Sequence, residues 1–402
     1  MRVTTPATDR LAIDGGEPVR REFLPYAHQS IDDDDVAAVV AALRSDWLTT
    51  GPRVPAFERD LCRFTGARHA VAFSSGTAAL HGAAAAAGLG SGDEAITTPM
   101  TFVATANAVL YVGAEPRFAD VDRGTLLIRP EAVAAAITSR TRAILPVDYA
   151  GHPADYHALR SIADDAPGGR LTIIADASHS LGATWRGRAV GTLADMTVLS
   201  LHPAKILTTG EGGAVLTDRD DLADRLRRFR NHGIESELAA RRDWTYEMVE
   251  LGYNYRLTDI GAALGSSQMT RLELFLATRR ELAAHYLRRL AGHELLDPPV
   301  VASGADPAWH FAYIQLRLDR LRVGRADVYR ALRAENIGVN VHYIPVHRHP
   351  YYRERSPEIS MPVAEGVYER LLTVPLFASM TTADVDDVVA ALDKVTSAYR
   401  AG

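Results

Sequence analysis

At 402 residues the chain exceeds what one hydrophobic core usually serves, so a large domain with a smaller companion is expected. Apolar residues make up 47% and charged residues 23%, and a net charge of -6 offers no basic face for nucleic acid. The single cysteine, Cys62, excludes an internal disulfide framework and a thiolate metal site, and no stretch reaches the roughly 18 to 20 apolar residues of a membrane span.

Residues 1–30, with Gly15, Gly16, Pro18 and Pro25, form an irregular arm. It lacks the basic-then-apolar pattern of a secretion signal, and a cytoplasmic location is expected. An acidic run, Asp32 to Asp35, precedes the apolar-periodic stretch 36–43 and suits the positive end of a helix dipole. From residue 54 onward helical patterns alternate with short apolar runs: AVAF (70–73), EAITT (94–98), RAILPV (142–147), LTIIADA (171–177), MTVLSL (196–201) and GAVLT (213–217). Helices intervene, for example at 77–87 and 130–137. Strands separated by helices predict an α/β layer with a mainly parallel sheet, and ligands of such sheets bind at the loops that follow the strands. An arginine-rich helix follows at 222–229, and 258–285 has the pattern of one long helix or two consecutive ones. There the large domain, 31–285, is expected to end. The remainder, 286–402, holds FAYIQLRL (311–318), a helix at 326–335, a short IGVNVHY (337–343) and a closing helix at 382–399, a smaller α+β domain.

Three places in this frame carry chemistry. SSGTAAL (74–80) lies directly after AVAF and opens a helix, where small residues let the backbone approach a ligand, helix N–H groups point outward and Thr77 adds a hydroxyl. A strand-to-helix turn of any α/β protein has this look, so by itself it defines no ligand. Asp176 ends the apolar run LTIIADA, where a carboxylate is costly unless it meets a cation or hydrogen-bond donors. Lys205 lies in SLHPAKILTTGEGGAVLT (200–217), just past MTVLSL. The sequence contains 42 Arg and only two Lys, Lys205 and Lys394. Arginine stays protonated and cannot become an amine nucleophile, whereas lysine can. An anion cradle, then a strand-end acid, then a lysine 29 residues later is the order expected of a pyridoxal-phosphate (PLP) enzyme of fold type I.

The segments DASHSLGA (176–183), SLHPAKILTTGEGG (200–213), RNHG (230–233) and GYNYRLTDIGAALG (252–265) resemble the hallmark segments of DegT/StrS-type nucleotide-sugar aminotransferases. The similarity runs from IDGGEPVR near residue 13 through VHYIPVH (341–347). It implies a homodimer with active sites at the subunit interface, and PLP, alternating with pyridoxamine phosphate, as cofactor. It further implies that Lys205 forms the Schiff base, Asp176 pairs with the pyridine nitrogen and His179 lies near the ring's 3-hydroxyl. Thr77, Ala78 and Ser200 would hold the phosphate, Phe102 would cover one ring face, and Asn254 would reach the phosphate from the partner subunit. Thr50, Arg230, His232, Tyr255, His342 and Tyr343 belong to segments that line the sugar-nucleotide side. His232 and His342 also fit ordinary loop or packing positions.

Members that replace the lysine by His are dehydratases, so Lys205 favours transamination. SDWLTTGPRVPAFE (45–58), ITTPMTFVATAN (96–107) and VDYAGHPAD (147–155) are similar to segments of enzymes that aminate C4 of a 4-keto sugar, including the pseudaminic acid pathway type. The expected reaction moves an amino group from glutamate, or glutamine, to C4 of a dTDP- or UDP-linked 4-keto-6-deoxy sugar. A C3-keto sugar or cyclitol acceptor, and a noncatalytic regulatory protein on the same fold, are the alternatives.

Overall fold

The computed structural model describes residues 10–235 and 244–402; residues 1–9 of the arm lie outside them. Helix α1 (Asp33–Leu43) begins at the acidic run. Asp32 caps it, accepting from the Asp35 amide, while the Asp35 carboxylate accepts from the Asp32 amide. The opening acids therefore satisfy amides that a helix start leaves without partners. After α2 (Arg53–Thr65) the chain enters the expected alternation. Strands β1 (His69–Phe73), β2 (Glu94–Thr97), β3 (Glu115–Phe118), β4 (Thr141–Leu145) and β5 (Thr172–Asp176) are separated by α3 (Gly76–Ala86), α4 (Ala104–Tyr111), α5 (Pro130–Ala136) and α6 (Tyr156–Asp164). A short hairpin, β6 (Thr184–Trp185) and β7 (Arg188–Ala189), precedes β8 (Met196–Ser200) and β9 (Gly213–Thr217).

Seven of these strands form one sheet in the order β1-β9-β8-β5-β4-β2-β3. The neighbours from β8 through β5, β4 and β2 to β3 pair in parallel. Strand β9 runs against both β8 and β1, so it alone is reversed. The sheet is mixed and mainly parallel, as expected. The central strands are buried along their length, which explains why they appear in the sequence as unbroken apolar runs rather than alternating ones. Alanine-rich α3 packs across β8 and β9, with Ala79, Ala83 and Ala84 fully buried. Small side chains there favour the helix and let it approach the sheet closely.

Helices α7 (Asp220–Arg230), α8 (Asp259–Met269) and α9 (Leu272–Arg289) follow, so the stretch 258–285 contains two helices. Beyond them, β10 (Leu296–Asp297), β12 (Ala312–Leu316) and β13 (Leu371–Val374) form a three-stranded antiparallel sheet. Strand β11 (Ala305–Asp306) instead joins the β6–β7 hairpin. Helices α10 (Arg325–Ala334), α11 (Pro350–Arg355), α12 (Pro362–Tyr368) and α13 (Thr382–Ala398) complete the C-terminal part. IGVNVHY forms no strand: Ile337 bridges Leu24 and Asn340 bridges Thr373, one residue each. Gly338 lets the arm pass close by: its amide donates to the Leu24 carbonyl at 2.7 Å, and a Cβ there would stand 2.6 Å from that oxygen.

Helix α9 serves two cores. Leu272 and Leu276 pack with Leu201, Ile206 and Leu257 beside the large sheet, whereas Leu282 and Tyr286 pack with Ile314, Val388 and Leu392. Leu11 and Leu24 of the arm join this second core. Each such aliphatic side chain removed from water contributes about 1.5–3 kcal/mol, so the arm is held to the C-terminal part by burial. Arg279, 2% exposed, staples the join by donating to the carbonyls of Trp309, His310 and Leu376 at 2.9–3.2 Å.

Candidate active site

The site gathers at the C-terminal ends of β1, β5 and β8. Strand β1 leaves through Ser74 and Ser75 into α3, where Ser75, extended, caps the helix by accepting from the Ala78 amide at 3.1 Å. The amides of Gly76 and Thr77 open the helix without an intrahelical acceptor and remain for a ligand. Two glycines make the concavity possible. A Cβ on Gly76 would lie 2.9 Å from Ser200 Cβ, and one on Gly213 would lie 2.5 Å from the Ser75 carbonyl oxygen. The start of α3, the end of β8 and the start of β9 thus meet almost backbone to backbone, with Thr77, Ala78 and Ser200 around an anion cradle.

Asp176 ends β5 and is 5% exposed. Thr105 Oγ1 donates to one carboxylate oxygen at 2.6 Å, and Ser178 Oγ donates to the other at 2.6 Å. Among the described residues no cationic side chain forms an ion pair with it. Lys205 stands on the loop between β8 and β9, its amide donating to the His202 carbonyl at 2.8 Å. Its ammonium likewise has no hydrogen-bond or ion-pair partner among the described residues. Burial lowers its pKa from 10.5 to about 8, opposed by the pull of Asp176. A neutral amine is thereby accessible near neutral pH, as a nucleophilic lysine requires.

His179, on the loop after β5, shares a 3.1 Å hydrogen bond between Nε2 and the Tyr343 hydroxyl. Its ring stacks on His310 with centroids 4.5 Å apart. Burial, reinforced by Lys205 and His342, holds the His179 pKa well below the usual histidine range, and its Nδ1 has no partner among the described residues. His342 stacks on Phe311 at 4.7 Å, bonds Thr373 Oγ1 through Nδ1 at 2.8 Å and is pushed down to about 3 by burial and then by Lys205. Phe102, 58% exposed, stands 6.1 Å from the Tyr343 ring. Lys205, Asp176, His179, His342, Tyr343 and Phe102 therefore form one group, with two of its members supplied from the C-terminal part.

The other sequence-expected residues sit differently. Arg230 forms an ion pair with Glu58 and donates to the Ala72 carbonyl at 2.8 Å, fastening α7 to α2 and β1. The Tyr255 ring joins an aromatic cluster around His81. Thr50, His232 and Asn254 are exposed, the first two with positive φ of 56° and 62°. Among the described residues no hydrogen bond or ring contact ties these three to the Lys205 group.

Thr105, Tyr149 and His310 were not singled out in the sequence. Tyr149 donates to the His342 carbonyl and packs edge-on against Phe311. Only Thr105 left a trace, as the second of two threonines four residues apart, Thr101 and Thr105, which bond each other at 2.7 Å. His310 sits in AWHFAY without any pattern that separates it from a packing histidine. Among the described residues no group of three or more His, Cys, Asp or Glu side chains is placed to hold a metal, and no helix is long and apolar enough to cross a membrane.

Three needs remain unmet among the described residues: a helix start without an anion, a buried carboxylate without a cation and a half-buried amine without an acceptor. PLP answers each with its phosphate, its protonated ring nitrogen and its aldehyde carbon. The fold and the site define a PLP-dependent aminotransferase of fold type I. Residues 29–393 match the model of the DegT/DnrJ/EryC1/StrS aminotransferase family, and the chain belongs to that family. It is 38% identical over 388 residues to the uncharacterized protein MJ1066 of Methanocaldococcus jannaschii, covering 95% of this chain and all of that one. It is similar in structure to Helicobacter pylori PseC, an aminotransferase involved in the biosynthesis of pseudoaminic acid, with a TM-score of 0.88, 29% identity and coverage of 94% and 100%. The PLP form of the sugar aminotransferase Spr1654 of Streptococcus pneumoniae matches with a TM-score of 0.87, 28% identity and coverage of 94% and 99%.

Proposed function

We propose that this sugar aminotransferase moves the amino group of L-glutamate to C4 of a nucleotide-linked 4-keto-6-deoxy sugar, as a cytoplasmic homodimer whose subunits complete each other's sites. The observation that carries the reading is Lys205, retained as a lysine and set without a partner beside Asp176 and His179. When bound, PLP supplies an electrophilic carbon and a protonated ring that takes up electron density. Thr77, Ala78 and Ser200 would hold its phosphate and Phe102 would cover the ring. Asn254 would reach the phosphate from the neighbouring subunit, which accords with its exposure in the single chain.

Thr105 and Ser178 aim the Asp176 carboxylate, and burial keeps water from competing for it. Tyr343 fixes the His179 ring through Nε2, which leaves Nδ1 for the ring's 3-hydroxyl. Lys205 Nζ, with its pKa lowered to about 8, is suited to take a proton from the donor's α-carbon and to return one. In the second half-reaction it would act in reverse, delivering a proton to the carbon that was the sugar's ketone. Thr50, His232, His342 and Tyr343 would line the sugar-nucleotide side, and Tyr255, whose ring packs on His81, would support that side from behind. Arg230, committed to Glu58, would act there by holding its loop.

C4 is favoured by the TTGP segment at 49–52, whose Gly51 amide is held by Asp259 at 2.8 Å, and by the likeness to PseC. The test is a panel of dTDP- and UDP-linked 4-keto- and 3-keto-6-deoxy sugars with glutamate as donor. An amine at C4 of a 4-keto substrate is expected; an amine only at C3, or only on a cyclitol ketone, overturns the assignment.

A further inference from the structure

Asn254 lies between two tyrosines, and those tyrosines are not free. Tyr253 and Tyr255 stack with centroids 4.9 Å apart and planes 12° from parallel. His81 of α3 is enclosed beside them, 4.9 Å from Tyr253 and 5.8 Å from Tyr255, with Phe229 at 4.9 Å and Tyr111 at 5.3 Å. His81 is 5% exposed, and its Nδ1 shares a 3.3 Å hydrogen bond with the Tyr255 hydroxyl. Burial pushes its pKa down to about 4, so at neutral pH it is an uncharged ring in an aromatic box.

The backbone of the same segment is pinned on both sides. Tyr253 N donates to the Phe229 carbonyl at 2.8 Å, His232 N to the Tyr253 carbonyl at 3.0 Å, Tyr255 N to the Arg230 carbonyl at 3.0 Å and Ser74 N to the Tyr255 carbonyl at 2.7 Å. Asn254 itself bridges Asn231, whose side chain accepts from Arg256 at 2.7 Å. In extended backbone neighbouring side chains point to opposite sides. With both tyrosines turned inward onto His81, Asn254 is turned outward, and it is exposed. A short polar side chain on a loop normally samples several rotamers, and a rigid, doubly anchored segment removes most of that freedom before a ligand arrives.

We infer that His81, Tyr253 and Tyr255 are positioning residues that hold Asn254 in the orientation needed to grip the cofactor phosphate of a neighbouring subunit. The inference rests on the proposed reading of Asn254 as a residue acting across the dimer. It adds a cause for that action, located in the subunit that supplies the asparagine and not in the one that holds the cofactor by Lys205.

Mixed dimers test it, each with one Lys205 subunit and one Lys205→Ala subunit. The readout is the PLP concentration giving half-maximal borohydride-fixed label on the Lys205 subunit. Asn254→Ala in the Lys205→Ala subunit is expected to raise that concentration about tenfold, the effect of losing one hydrogen bond to a charged group. His81→Leu in the same subunit is expected to raise it several-fold, and Tyr253→Leu, a second variant in case the first does not fold, to do likewise. His81→Leu placed in the Lys205 subunit is expected to change it less than twofold. If Asn254→Ala has no effect, the cross-dimer reading fails and the inference with it. If Asn254→Ala acts but neither stack variant does, the reading stands and the inference is overturned. Equal effects of His81→Leu in either subunit also overturn it, because they mark a general packing role.

Discussion

Replacing Lys205 by Met should make the cofactor-free protein more stable. The side chains are similar in length, but Met brings no charge to a place where the ammonium has no partner. Lowering the lysine pKa from 10.5 to about 8 corresponds to about 3 kcal/mol of preference for the neutral form in the folded chain. Lys205 is only half-buried, so water screens part of this and the expected gain is about 1–2 kcal/mol. The sign follows from the protons bound. Between pH 8 and 10.5 the unfolded lysine holds its proton while the folded one has lost it, so the wild-type penalty shrinks as pH rises and is complete below pH 8. Thermal unfolding of the two cofactor-free proteins should therefore show the variant higher by about 1–3 °C at pH 7 and equal near pH 10.5. A variant less stable than wild type at pH 7, or a gain of the same size at both pH values, would refute the claim that an uncompensated ammonium is stored at this position.

Thr105→Val removes the 2.6 Å donor to Asp176 and should weaken PLP binding about tenfold, read as PLP lost on dilution, with little change in the melting point of the cofactor-free protein. Glu58→Gln removes the carboxylate charge that faces Arg230 where both side chains are nearly buried, at 12% and 13% exposure, and should cost about 1–3 kcal/mol in urea unfolding. Asp148 is fully buried, accepts from Ser180, Tyr156 and the Ala154 amide, and is pushed up to about 7 by burial, with Asp176 adding to the rise. An acid whose pKa is raised in the folded state loses stability as pH climbs from its unfolded value near 4 through 7. Asp148→Asn should flatten that decline, measured as the urea midpoint at pH 5 and pH 8.

The large sheet was legible because its central strands are buried on both faces and therefore stand out as apolar runs. Strand β3, EPRF, was not: it lies at the sheet edge with Glu115 and Arg117 exposed, and Pro116 is tolerated there. The residues that the structure gathers around Lys205 were legible where a local rule is broken, as with the acid ending LTIIADA and a lysine in an arginine-rich chain. Residues that only support them were not, since Thr105, Tyr149 and His310 are ordinary side chains whose roles arise from contacts far apart in sequence. Motif likeness suggests Arg230 and Tyr255 for the sugar side, but it cannot reveal that Arg230 pairs with Glu58 or that the Tyr255 ring packs against His81.

The two glycine contacts at the cradle divide the site for anyone seeking to redirect it. Gly76 and Gly213 admit no side chain, since the atoms they would meet are the end of β8 and the peptide that opens α3. Saturation libraries there should return glycine alone, so the shape of the proposed phosphate cradle is closed to substitution at these two positions. Thr50 and His232, by contrast, are exposed and, among the described residues, have no hydrogen bond or ring contact with the Lys205 group. On the proposed reading, variation confined to those two positions would alter which ketone is accepted while the cradle stays the same, a fixed engine with an exchangeable mouth.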